Sequence, residues 1–562
     1  MQKRNTYFSS SSQNVEKVRK LLAGMEGVGL TERKLRSVLA ECAKQLLKSR
    51  LSEEAWEQCR WLMKDLKKFD SSDEGAEACQ KSGETFTYVY KEDLLGFLYL
   101  SLRAFTERKR SGSYYTPNAI AKKVADRVAI QDTQSVLDPA CGTGSILLEL
   151  AEKCNLEQLY GYDIDPIAIA ITRINMALTY GICDKTVLTE HFAKRDFLQD
   201  GSPKKMDVIL GNPPWGSAFT QEEKTQLQKK FRTAGKKAIE SGDLFVEQSL
   251  KGLQPGGILC FVLPEALLHV KTHRMVRSLI LEQSHVISVE YLGEVFERVQ
   301  CPSVIITLEK KSAEEITPDD EHLRDEDAGI VRLSPERFLF DVSEEEFALL
   351  QKLSRAVNTI TLKGQASFAL GIVTGNNEKH LQKQKMDGGE PILRGTDIER
   401  FRIKETASYI CFSPTEYQQI APIELYRAKE KLLYRFVGER PVFAYDNKQR
   451  LTLNSCNIVI PSVEGLDMRY IMAVFNSRVI GFWHRRYNHS MKLLRTHIEG
   501  FPIPVASSGQ QQEVIRLVEL LQDSGQNEEE QNCIYEQLDA KITELFGLTD
   551  KEYELVKQID NI

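Results

Sequence analysis

Residues 135–144, Ser-Val-Leu-Asp-Pro-Ala-Cys-Gly-Thr-Gly, and residues 156–169, Leu-Glu-Gln-Leu-Tyr-Gly-Tyr-Asp-Ile-Asp-Pro-Ile-Ala-Ile, decide the fold. The first runs from an apolar strand into a glycine turn at a helix start, where the missing Cβ lets the backbone approach a ligand closely. The second is another strand, ending in Asp163, a carboxylate placed to accept hydrogen bonds from both hydroxyls of an adenosine ribose. Gly142 and Asp163 stand close to the ~20 residues apart expected of a nucleoside-binding βαβ unit. Gly142 and Gly144 are followed by Leu147 where a dinucleotide fingerprint needs a third glycine, and no Gly-Lys-[Ser/Thr] follows. A nucleoside without a pyrophosphate fits best.

Working outward, SVLDPA, QLYGYDI, MDVILGN, GILCFVLP, VISVEYLG and SVIITLEK alternate with helical stretches between 111 and 310. That alternation predicts an open, mostly parallel α/β sheet with its ligand site at the carboxyl ends of the strands. The last two strands are spaced for an antiparallel hairpin. Upstream, VEKVRKLLAGM, KLRSVLAECAKQLL, EEAWEQCRWLMKDLKKF and KEDLLGFLYLSLRAFTERKR carry apolar residues at helical spacing, so 1–110 reads as a helical packing region without chemistry. An acidic stretch at 313–329 reads as a linker, 330–508 as a mixed α+β domain, and 509–562 as a charged helical tail.

The net charge of −6 gives no global signal for nucleic acid, so a role on DNA needs local basic patches. Eleven scattered cysteines without a C-x-x-C pair argue against a zinc module and a disulfide framework, and for a reducing compartment. With no signal-peptide core and no apolar run of ~20 residues, the chain reads as soluble, cytoplasmic, and free of membrane or metal.

After the strand MDVILGN comes Asn212-Pro213-Pro214-Trp215. Two prolines fix φ and leave carbonyls without competing N–H donors. A planar ring amine such as that of adenine is a poor nucleophile, because its lone pair is delocalised into the ring. The Asn212 side-chain oxygen and the Pro213 carbonyl can each accept one of its N–H groups, drawing electron density onto the nitrogen. Trp215 supplies a surface for a base turned out of a duplex; the plainer reading is a turn with an indole filling the core. S-adenosylmethionine is a nucleoside ligand without a pyrophosphate, and a methyl donor that such a loop would serve.

These motifs resemble the γ-class amino-methyltransferases of bacterial DNA modification, in particular the TaqI-type adenine methyltransferases with a C-terminal target-recognition domain, over roughly 95–505. The resemblance implies a Rossmann-like methyltransferase domain at 111–312 and S-adenosylmethionine as cofactor. In Gly112-Ser113-Tyr114-Tyr115-Thr116-Pro117, Thr116 would cap the methionine end. Asp138, Pro139, Ala140, Gly142 and Gly144 correspond to the glycine-loop motif, and Asp163 with Ile164 to the ribose and ring contacts. Asp196 would hold the adenine amino group of the cofactor and Phe197 pack on its ring. Asp243-Leu244-Phe245 and LQPGGILCFVLP resemble the next motifs, and Phe296, closing Tyr291–Phe296, would stack on the target base opposite Trp215. Trp215 departs from the commoner Tyr or Phe. Related cytosine-N4 enzymes usually carry Ser or Asp at the first position, so Asn212 favours adenine.

Double-stranded DNA is the implied partner; residues 1–90 carry no convincing nuclease metal motif, so the chain reads as a stand-alone methyltransferase, for which a separate cognate restriction endonuclease is an optional partner. Lys224, Lys229, Lys230, Arg232, Lys236 and Lys237 form one basic stretch. A second runs from Arg427 to Arg450, with Arg435, and continues at His484-Arg485-Arg486-Tyr487-Asn488-His489. Arg394-Gly395-Thr396-Asp397-Ile398 and LRTHIEGFPIP resemble the two ends of a TaqI-type recognition domain. The expectation is an adenine-specific DNA methyltransferase of a restriction–modification, epigenetic or phage-defence system. The alternatives are methylation of ribosomal RNA or a protein glutamine, against which 330–508 argues, and a non-catalytic specificity subunit, against which the intact motifs argue.

Overall fold

The computed structural model describes residues 14–23, 32–66, 74–102, 116–236, 238–296, 301–316, 332–340, 342–355, 358–385, 387–488, 490–523 and 528–560. Contacts divide the chain into two compact units, Met1–Arg324 with Leu333–Phe338, and Asp325–Arg332 with Leu339–Ile562. Most of the expected acidic linker, Gly112–Tyr115 of the expected first motif, Lys237 and His489 lie outside the described residues.

The first unit holds a seven-stranded sheet of β1 (Val136–Asp138), β2 (Leu159–Asp163), β3 (Phe192–Lys194), β4 (Met206–Gly211), β5 (Leu253–Pro264), β6 (Ser284–Gly293) and β7 (Ser303–Lys310). Their order is β3-β2-β1-β4-β5-β7-β6. β3, β2, β1, β4 and β5 run parallel, and β7 lies antiparallel between β5 and β6. All six strands read from the sequence form, and the last two make the expected hairpin. The additional β3 is three residues long and follows directly on helix Lys185–His191, too short to leave a periodic signal. Strand order reverses between β1 and β4, the point at which open α/β sheets bind ligands. The two motifs sit there, one at the end of each strand.

Helix Pro166–Tyr180 shows why the chain turns where it does. Asp165 caps it by accepting from the Ile167 and Ala168 N–H groups, Pro166 opens it, and Gly181 ends it in the left-handed region. Its apolar face packs Ile171 and Ile174 into a core with Val136, Leu147 and Val208. Leu39, Leu47, Leu95 and Leu98 of the N-terminal helices belong to that same core, so the described part of 1–110 is no separate body. Helix Glu53–Cys59 stops before Leu62–Leu66, breaking the single helix expected over 53–69. Cys59 is bonded to Cys183 across 124 residues, against the expectation of thiols throughout, while the other nine cysteines are free.

In the second unit, strands Ala366–Ala369, Cys456–Pro461, Lys431–Arg435 and Phe443–Asp446 form an antiparallel sheet in that order. A smaller sheet joins Leu381–Gln382, Tyr409–Ile410, Glu390–Leu393 and Leu451–Thr452. The expected tail folds as helices Ser508–Asp523, Glu528–Leu545 and Asp550–Asp560. Val518, Leu538 and Val556 of these helices share a core with Tyr470 and Phe475, so 509–562 is built into the unit. Among the described residues no helix is long and apolar enough to cross a membrane.

Candidate active site

The glycine turn after β1 is locked to the end of β2. Gly142 N–H donates to Asp163 Oδ2 (2.9 Å), Asp165 N–H to Asp163 Oδ1 (2.8 Å), and Cys141 N–H to the Tyr162 carbonyl (2.9 Å). Thr172 adds a hydroxyl bond to the Gly142 carbonyl (2.8 Å). At the end of β4, Gly211 passes so close to Asp138 that a Cβ there would lie 2.7 Å from Oδ1. Only glycine lets the Asn-Pro-Pro-Trp loop start beside the buried carboxyl.

Two adjoining cavities share Ala140, Gly142, Asp163 and Asn212 in their walls. The smaller, about 70 Å³, is also lined by Tyr99, Leu100, Thr116, Asp138 and Asp165. The larger, about 310 Å³, is also lined by Pro139, Ile164, Asp196, Phe197, Pro213, Pro214, Trp215, Phe245 and Phe296. That volume falls at the lower end of small-molecule sites, ~300–1,000 Å³. Every cofactor residue expected from the sequence therefore lines one cavity or both, except Gly144, which shapes the turn at φ +88° without reaching either. Ile164 is 62% exposed, an apolar side chain left on the open side of the ribose-type carboxylate. Asp196 spends Oδ1 on capping Leu198 and Gln199, and Phe197 stacks on Phe245 with centroids 5.7 Å apart.

Asn212 stands at the junction. Its Nδ2 donates to Thr116 Oγ1 (3.1 Å), which fixes the amide, and its Oδ1 is buried without a hydrogen-bond partner. A buried amide oxygen left unpaired costs about 1–3 kcal/mol, so a donor is missing there. Of the two proline carbonyls, Pro214's accepts from Ser241 Oγ at 2.6 Å. Pro213's accepts nothing among the described residues. The loop is thus held from behind by Ser241, which the sequence reading missed although it lies two residues before the Asp-Leu-Phe motif. Trp215 Nε1 donates to the Val262 carbonyl at 3.2 Å.

Burial pushes the Asp138 carboxyl up to about 8; the Ala140 N–H works against this, and the Asp163 charge adds to it. Burial likewise raises Asp243, whose Oδ1 lies 2.7 Å from His273 Nδ1.

Three expectations need correction. Trp215 and Phe296 do not frame an open slot: their rings meet edge to face, centroids 4.9 Å apart at 84°, and Phe296 is buried. Arg435 and Arg486 serve the scaffold. Arg435 donates to the Gly395 and Ile398 carbonyls (3.1 and 2.7 Å), and Arg486 pairs with Glu346 at 2.8 Å. The N-terminal region supplies Tyr99 and Leu100 to a cavity wall, so it is more than packing. Lys229 and Arg394 are exposed, Lys230 donates to the Gln199 carbonyl (2.6 Å), and Arg485 is partly buried.

A sheet of this order, with a nucleoside-type turn on β1 and Asn-Pro-Pro-Trp on β4, defines a Rossmann-like methyltransferase domain. Comparison with known proteins agrees. The N-6 DNA Methylase family profile matches residues 90–332, and that of the TaqI-like C-terminal specificity domain matches 390–503. The chain is 29% identical over 310 residues to the type II methyltransferase M.VspI of a Vibrio species, covering 52% of this chain and 72% of that protein. It is 29% identical over 233 residues to the type I restriction enzyme MpnII methylase subunit of Mycoplasma pneumoniae, covering 38% of this chain and 42% of that one. The structure of the type IIL restriction-modification enzyme MmeI in complex with DNA shares the fold, with a TM-score of 0.61 at 13% identity over 97% of this chain and 93% of that one. The chain thus carries an N-6 DNA methylase domain followed by a TaqI-like C-terminal specificity domain, the make-up of a DNA N6-adenine methyltransferase of the restriction–modification type.

Proposed function

We propose that this chain methylates N6 of an adenine flipped out of double-stranded DNA, with Asn212 and Pro213 as the acceptors that hold the amino group. The observation that carries this reading is the buried Asn212 Oδ1, unpaired at the junction of the two cavities. The residues present fit S-adenosylmethionine: a ribose-type carboxylate at Asp163, an exposed apolar Ile164 beside it, Phe197 in the same wall, and Thr116 and Asp138 lining the smaller cavity. Bound there, S-adenosylmethionine supplies an electrophilic methyl group.

The protein's own share is orientation and charge. Asn212 Oδ1 and the Pro213 carbonyl each accept one N6–H, which concentrates electron density on the nitrogen and turns its lone pair out of the ring plane. Thr116 keeps the Asn212 amide from flipping, and Ser241 keeps the loop in place. Trp215 offers a face to the extrahelical base. The surplus proton leaves after transfer, so no strong base is required. The TaqI-like domain, through exposed groups such as Arg394, would hold and read the duplex, with Lys229 and Lys230 near the catalytic loop as phosphate contacts. The setting that fits is cytoplasmic DNA modification paired with a separate cognate endonuclease.

The test uses purified full-length protein, methyl-labelled S-adenosylmethionine, and DNA, RNA and protein substrates in parallel. Label is expected in duplex DNA alone, and as N6-methyladenine after digestion to nucleosides. Label in RNA or protein, or in cytosine, would overturn the reading.

A further inference from the structure

Asp93 lies upstream of the motifs read from the sequence, yet it is 2% exposed and both of its carboxylate oxygens accept hydrogen bonds. Oδ1 accepts from the Gly96 N–H (2.8 Å), capping helix Leu94–Leu102, and from Asn175 Nδ2 (2.8 Å). Oδ2 accepts from the Thr143 hydroxyl, in the middle of the glycine turn. Asn175 Nδ2 also donates to the Thr143 carbonyl (2.9 Å). A single carboxylate from the N-terminal region therefore clamps the turn from behind. The approach is too close for any side chain at position 96, where a Cβ would fall 2.0 Å from Asp93 Oδ2 and 2.3 Å from Thr143 Oγ1. One turn along from Gly96, on the same side of the helix, the Tyr99 hydroxyl donates to Asp165 Oδ2, the cap of helix Pro166–Tyr180. Tyr99 and Leu100 then close one wall of the smaller cavity.

We propose that Asp93, Gly96 and Tyr99 make the N-terminal helix a working part of the cofactor site. Asp93 is a positioning residue that holds the glycine turn through Thr143, and Tyr99 is a cofactor-facing wall that also holds the Asp165 loop. The inference rests on the reading of the smaller cavity as part of an S-adenosylmethionine site. It assigns chemistry to the pattern Asp-x-x-Gly-x-x-Tyr, in which the acidic residue and the glycine dock the helix and the tyrosine faces the ligand.

The experiment compares full-length wild type, Thr143→Val and Tyr99→Phe, which removes only the hydroxyl on Asp165 and keeps the buried ring, by calorimetric titration with S-adenosylmethionine and by steady-state kinetics on duplex DNA. Thr143→Val removes the hydroxyl and keeps the shape, so it reports the clamp without opening a cavity. A lost hydrogen bond to a charged group predicts affinity for S-adenosylmethionine weaker by about tenfold, with KM for S-adenosylmethionine rising in step. KM for DNA and the melting temperature are expected to stay close to wild type. A loss below about threefold in both variants overturns the inference. So does a fall in DNA affinity and melting temperature in parallel with cofactor affinity, which would mark a purely structural role. A wild-type protein that binds no S-adenosylmethionine would instead sink the underlying reading.

Discussion

Replacing Asn212 by alanine is expected to separate activity from stability, because the atom proposed as the amino-group acceptor is a burden to the fold on its own. Asn212 Oδ1 is buried and unpaired, a cost of about 1–3 kcal/mol that alanine removes. Against this, the variant loses the 3.1 Å bond from Nδ2 to Thr116 Oγ1, worth ~1 kcal/mol, and leaves a small void of similar cost. The balance is near zero, so the folding midpoint stays within a few degrees. The rate moves far more. Deleting one preorganised partner of a group that gains charge in the transition state costs about 10²–10³ in rate, or ~3–4 kcal/mol. Single-turnover methylation of duplex DNA with labelled S-adenosylmethionine gives the rate, and thermal unfolding of the same preparation gives the midpoint. Retention of the rate within tenfold, or a rate loss matched by a fall of ~10 °C in midpoint, would refute the assignment of Asn212 as the amino-group acceptor.

Trp215→Phe keeps a stacking face and is expected to stay within about tenfold of wild type, whereas Trp215→Ala forfeits ~1–3 kcal/mol of base stacking; 2-aminopurine fluorescence at the methylated position would follow the flipped base in both. The Asp138 carboxyl, raised to about 8 from an ordinary 3.8, keeps its proton in the folded chain while the unfolded chain ionises. Its stabilising effect is therefore full below about pH 4 and is lost as the pH rises towards 8. Urea titrations at stepped pH should show that slope in wild type and a flatter one in Asp138→Asn; parallel slopes would contradict it. Lys431 and Asp446 form a fully buried pair at 2.6 Å in the sheet of the second unit. Lys431→Met leaves the carboxylate with Arg450 as its one counter-charge among the described residues, and is expected to destabilise that unit by about 3–5 kcal/mol, measured by urea unfolding.

The sheet and the chemistry loop were legible because their determinants are local. The turn after β1, Asp163 at the end of β2 and Asn212 after β4 each announce themselves within a dozen residues. What stayed hidden depends on partners distant in the chain. The basic string at 484–489 reads as a DNA footprint until Glu346, 140 residues upstream, is seen to neutralise Arg486. Arg435 is similarly engaged by carbonyls near residue 396. The apolar run Leu94–Leu102 reads as core, and most of it is; only Asp93 before it, a carboxylate opening a hydrophobic helix, hinted at the clamp on Thr143. The edge-to-face contact of Trp215 with Phe296 was invisible because sequence gives ring identity and not ring orientation. The Cys59–Cys183 bond has no local signature at all.

Native sequencing of genomic DNA from a methylation-free bacterial host expressing this chain tests the central claim most directly. N6-methyladenine at one short sequence motif, absent when Asn212→Ala is expressed in its place, is the predicted result. Methylated cytosine at that motif, or unmodified DNA beside methylated RNA or protein, would contradict it.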